Sequence, residues 1–130
     1  MIAPIKKGPL NVLGQPLKSC CNKLRTGWLR NGSCETDEND HGRHVVCCRV
    51  SDKFLAFSKM VGNDLSTPRP EFNFPGLTEG DCWCLCAARW QEAFEAGLAP
   101  KVKLEACEES ALKVIDLESL KQHAIHENEG

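Results

Sequence analysis

Tyrosine is absent from this 130-residue chain, methionine occurs twice, and aromatic residues make up 6% of it. With 16 basic against 18 acidic side chains, a large excess of charge of either sign is missing as well. Nucleic-acid surfaces need a basic groove interleaved with stacking aromatics, so nucleic acid is not an expected partner. No apolar run approaches the ~18 residues of a membrane-crossing helix, and no membrane partner is expected either. The first residues pass from Lys6 and Lys7 into Gly8, Pro9 and Asn11 rather than into an apolar signal core, so the expected location is intracellular, the cytoplasm. Also missing are a nucleophile elbow, a phosphate-binding glycine loop, an H-E-x-x-H helix, a dinucleotide fingerprint and any C-x-x-C pair. Their absence removes the large motif-bearing enzyme classes.

What is present in excess is cysteine, nine residues of it. A chain of this length can bury roughly two-thirds of the surface of its unfolded state and needs no covalent help to fold. In a reducing compartment thiols serve more often as buried small hydrophobes, metal ligands or redox groups than as structural disulfides. An odd count leaves at least one unpaired in any case.

Residues 1–25 are rich in Pro, Gly and Lys and read as extended loop, with 1–10 a flexible lead-in to a single domain over 11–126 and a frayed end at 127–130. Asn31-Gly32 supplies the positive φ angles of a tight hairpin turn between 26–29 and 33–36. Residues 43–50 have the β-branched character of a buried strand. Ser51 then offers an N-cap and Gly62 a left-handed terminator to a helix of two to three turns. The proline-broken stretch 62–80 is a long loop. Trp83, Cys86, Ala87, Trp90, Ala93 and Phe94 recur at helical steps, predicting a helix over 81–96 with Thr78 and Asp81 at capping-box spacing. Val102, Leu104 and Ala106 alternate as in a half-buried strand, followed by a helical turn near 108–112, a brief strand at Val114 and Ile115, and a helix over 117–125 capped by Asp116. The order predicts an α+β fold: one small domain with a short, mostly antiparallel or mixed sheet packed against two to three helices.

The strings Asn11-Val-Leu-Gly14, Gly62-Asn-Asp-Leu-Ser-Thr-Pro68, Phe74-Pro-Gly-Leu77 and Gly80-Asp-Cys-Trp-Cys-Leu-Cys-Ala87 carry a resemblance. Over 11–124 the chain resembles a widespread group of small bacterial, algal and plant proteins known as domain of unknown function 2237. The resemblance implies no assigned activity, substrate or cofactor. It does imply cysteines at Cys20, Cys34, Cys47, Cys84 and Cys86, a histidine at His44 and an acid at Asp81. Cys21, Cys48, Cys82 and Cys107 depart from that pattern.

Several constellations carry chemistry. If 82–86 is extended, Cys82, Cys84 and Cys86 line one face as metal ligands or a thiol pair would. If it is helical, as the periodicity favours, they fan out and Cys86 faces the core. A thiol in a helix's first turn lies at the positive end of the macrodipole, which raises its reactivity, so Cys84 and Cys86 are candidate nucleophiles; buried packing is the bland alternative. His41, His44 and Cys47, with Cys34 and Cys20 upstream, offer zinc a Cys/His set, although His44 and Cys47 point to opposite faces of a regular strand. A hydrogen-bonded structural histidine is the simpler reading of His44. His123 and His126 read as solvated surface, Trp83 and Trp90 as core, and Trp28 as a surface contact residue. In the 62–68 loop, Asn63, Asp64, Ser66 and Thr67 either close a network of turns or project into a cleft, where Asp64 and Asp81 join His44 as an acid/base set.

Three functions follow. The first is a thiol-cluster protein in which Cys20, Cys34, His44, Cys47, Cys84 and Cys86 hold a soft metal such as zinc. The second is a thiol-dependent redox protein or enzyme using a helix-start cysteine, with Cys84, Cys86, Asp81 and Asp64 as the catalytic candidates. The third is a non-catalytic binding module with structural cysteines. The partner in each case is a small molecule or a protein.

Overall fold

The strand at His44–Arg49 (β1) is the centre of the structure, a computed structural model that describes residues 8–20, 33–36, 40 and 43–125. Its run of Val45, Val46, Cys47 and Cys48 is buried on both faces, which suits the middle strand of a covered sheet. On one side β1 pairs antiparallel with β2 (Cys82–Cys86), and on the other with the two-residue β3 (Lys101–Val102), giving the order β2-β1-β3. With three α-helices among the described residues, the domain is a small α+β fold, as expected.

Helix α1 (Asp52–Met60) starts where the sequence places it: Ser51 Oγ accepts from the Phe54 amide at 3.1 Å, and Gly62 beyond its end has φ +94°. It buries Phe54, Leu55 and Ser58. Helix α2 (Ala87–Glu95) buries Ala87, Trp90 and Ala93, and Trp90 Nε1 donates to the Pro100 carbonyl at 3.1 Å. Trp90 stacks on Phe94, and both meet the ring of His123, whose Nδ1–H donates to Ser119 O at 3.2 Å. His123 is therefore a packing residue rather than solvated surface.

The helix expected over 81–96 begins only at Ala87; its first part is strand β2. Pairing with β1 overrides the helical spacing of Trp83, Cys86 and Trp90, and Asp81 Oδ2 accepts from the Thr78 amide and hydroxyl to close a turn ahead of the strand. The strand expected at 102–106 stops at Val102, because Leu104–Ala106 is a 3₁₀ turn. Val114 and Ile115 form no strand: they follow the 3₁₀ helix Glu109–Lys113, with Ile115 buried and Val114 exposed. Helix α3 is Leu117–Gln122, shorter than expected, and Asp116 at its start makes no side-chain cap. Of the expected hairpin, the arm 33–36 is described and forms no strand, while its 26–32 part, with Trp28, lies outside the described residues, as do Cys21, His41 and His126.

The N-terminal segment is fastened by Asn11, 1% exposed. Its Oδ1 accepts from the Leu13 and Gln15 amides, and its Nδ2 donates to the Glu105 and Pro16 carbonyls, so one side chain closes the turn and docks it. Among the described residues no helix is long and apolar enough to cross a membrane.

Candidate functional site

Because 82–86 is extended, Cys82, Cys84 and Cys86 share one face of β2. Directly opposed residues of an antiparallel pair also share a face, with Cβ atoms about 4.5–5.5 Å apart. The register sets Cys47 opposite Cys84 and His44 opposite Cys86. A regular strand would separate His44 from Cys47, but an irregularity between His44 and Val46 shifts the register by one and returns both to the sulfur-bearing face.

That irregularity has a visible cause. Arg43 adopts φ +50°, a left-handed conformation that a non-glycine side chain rarely takes. Its carbonyl accepts from the Val45 amide at 2.8 Å and from the Ala87 amide, the first of α2, at 3.0 Å. One strained residue therefore ties the start of β1 to the junction of β2 and α2, where Cys86 is the N-cap residue of α2.

His44 is held from behind. Asp40, with a fully buried side chain, accepts from His44 Nδ1 at 2.7 Å, from the His44 amide at 2.9 Å and from Thr36 Oγ1 at 2.9 Å. Burial opposes ionisation of Asp40, yet these donors outweigh it and hold the carboxyl below its ordinary value. An ionised Asp40 can only accept, so Nδ1 carries the proton and the basic lone pair belongs to Nε2. The His44 side chain is 39% exposed and Cys86 is half-buried with a free thiol. Cys86 makes no side-chain cap to the first turn of α2.

The next rung is covalent. Cys20 is disulfide-bonded to Cys47 and Cys34 to Cys84, with Cα–Cα distances of 5.5 and 5.4 Å. The expectation of unbonded thiols is overturned for these four, because the N-terminal segments bring Cys20 and Cys34 onto the opposed pair Cys47 and Cys84. The Cys20, Cys34 and Cys47 sulfurs all lie within 4.8 Å of one another, so the two bonds lie close together. Cys48 and Cys107 face carbonyls instead, donating to Trp83 O and to Lys103 O and Cys47 O. Burial pushes the Cys107 thiol up to about 12 and Cys48 well above its usual value, so neither is reactive.

Of the residues singled out in the sequence, Cys20, Cys34, His44, Cys47, Cys84 and Cys86 share one face. Asp64 and Asp81 are used locally. Asp64 accepts from the Ser66 and Thr67 amides and from Thr67 Oγ1 at 2.6 Å, which also lowers its carboxyl pKa, and Asp81 closes the turn at Thr78. The carboxylate behind His44 is Asp40, which sequence reasoning passed over as part of a polar loop. Its signal was an acid four residues before the first histidine of a strand.

Fold and site together define a disulfide-stapled α+β domain in which a half-exposed cysteine stands opposite a carboxylate-held histidine in the strand register. The chain belongs to the family described as an uncharacterized protein conserved in bacteria, domain of unknown function 2237, which matches residues 10–124. No curated protein matches the chain.

Proposed function

We propose that the domain is a thiol-dependent enzyme in which Cys86 is the nucleophile, His44 the general base and Asp40 the group that orients His44. The carrying observation is the rung His44–Cys86 with Asp40 2.7 Å behind the imidazole. The chemistry suited to such a set is acyl transfer. The Cys86 proton passes to His44 Nε2 as the sulfur bonds to a carbonyl carbon; the leaving group departs with that proton, and water or another acceptor then cleaves the thioester. The Ala87 amide is already given to the Arg43 carbonyl, so the oxyanion donors in this scheme are the next amides of the first turn of α2, those of Ala88 and Arg89.

Dithiol redox chemistry at Cys86 is less well supported. Residues two apart on a strand are separated by about 6.6 Å, whereas a disulfide brings Cβ atoms to about 3.8 Å. Cys84 is already bonded to Cys34 as well.

The test is alkylation of the native protein with iodoacetamide, with peptide mapping by mass spectrometry, beside turnover of a panel of activated esters and thioesters. Cys86 should label faster than Cys82, also half-buried, and His44→Ala should slow it by at least about tenfold. Equal labelling of the two cysteines, unaffected by His44→Ala, would refute the assignment.

A further inference from the structure

We infer that the four bonded cysteines, Cys20, Cys34, Cys47 and Cys84, become on reduction a tetrathiolate site for a thiophilic divalent cation of the zinc class. A purely structural pair of disulfides requires each sulfur to be close only to its own partner. Here the Cys34 sulfur lies within 4.8 Å of both members of the other bond, Cys20 and Cys47. Tetrahedral zinc with Zn–S bonds near 2.3 Å sets its ligand sulfurs about 3.8 Å apart. Rotation of side chains within the cluster covers the difference. Cys84 completes the set, since breaking its bond to Cys34 frees it directly across from Cys47.

The surroundings favour a cation over four free thiols. All four residues are at most 4% exposed, and two of them are fixed on the central pair of strands. Among the described residues the other buried thiols, Cys48 and Cys107, point at carbonyls and do not compete for the ion. The ligands come from four separated stretches of chain, so the cation would link the same segments that the disulfides link. The two states exclude one another, because a disulfide sulfur is not a thiolate ligand.

The conversion balances. Each disulfide takes two electrons and two protons from a dithiol reductant, which leaves as its own disulfide, and the cation then displaces four thiol protons as four metal–sulfur bonds form.

The experiment loads the full chain with zinc after reduction, removes excess by desalting, and measures bound metal, protected thiols and far-ultraviolet circular dichroism; cobalt serves as the spectroscopic probe. Reduced protein should retain one equivalent of zinc, show tetrahedral cobalt–thiolate absorption and protect four thiols, whereas oxidised protein should retain none. The Cys34→Ser/Cys47→Ser variant should lose the metal, and Cys86→Ser should keep it. If the reduced chain loses its fold, zinc should restore the spectrum. Folded reduced protein without metal, an unfolded reduced chain that zinc does not rescue, or zinc retained by the double variant would each overturn the inference.

Discussion

Asp40 shows how much one buried carboxylate organises. It accepts from the amide and ring of His44 and from Thr36, so it fixes both the entry of β1 and the tautomer of the imidazole. Asp40→Asn keeps the shape but removes the charge, and should cost about 1.5–3 kcal/mol at neutral pH, the worth of hydrogen bonds to an ionised group. The folded chain holds this carboxyl below its ordinary value of 3.8. A depressed carboxylate stabilises the fold fully above its unfolded pKa, and that contribution is lost as pH falls through the folded value. The gap between wild type and Asp40→Asn in urea unfolding should therefore narrow below about pH 4. A gap that stays constant down to that range would mean the charge contributes nothing. Asp40 was hard to see in the sequence because its partner is defined by the turn at Arg43, whose left-handed backbone no local residue preference announces.

At the scale of elements, legibility followed how local the controlling interaction is. Ser51 and Gly62 mark the ends of α1 through contacts within a few residues, and both could be read directly. Strand β2 could not: Trp83, Cys86 and Trp90 do fall at helical steps, and only pairing with a strand some forty residues earlier in the chain decides against the helix. Once it is extended, the shared face of Cys82, Cys84 and Cys86 follows, which was the reading the sequence held as its alternative. The 62–80 loop is governed by close backbone packing. Gly76 has φ +80°, and a Cβ there would overlap the Ser66 carbonyl oxygen; Gly97, at φ +75°, faces open space. Gly97→Ala should then cost only the left-handed penalty of about 1–2 kcal/mol, whereas Gly76→Ala pays that and must also displace the Ser66 backbone. Thermal unfolding should order the two variants accordingly. Equal losses would mean that the loop yields freely at Ser66 and is not the tight turn network that Asp64 and Gly76 describe.

For the whole molecule the two disulfides interlock. The bridge from Cys20 to Cys47 spans 27 residues and the bridge from Cys34 to Cys84 spans 50, and each loop contains one end of the other. Taken singly, loop closure predicts stabilisations of about 3.5 and about 4 kcal/mol. Because the loops overlap, either bond already restricts part of the chain that the other would restrict, so removing both should cost less than the sum. The second bridge also reaches the site: Cys34 pins to β2 the residues beside Thr36, whose hydroxyl donates to Asp40, and its partner Cys84 is two residues from Cys86. Cys34→Ser should therefore slow alkylation of Cys86 more than Cys20→Ser does, by loosening Asp40 behind His44. A tetrathiolate metal would restrain the same four segments, so zinc added to the reduced wild type should restore the Cys86 rate, while zinc added to Cys34→Ser should restore less of it. If reduction without metal leaves that rate unchanged, the disulfides brace the fold alone and His44 keeps its position by hydrogen bonds.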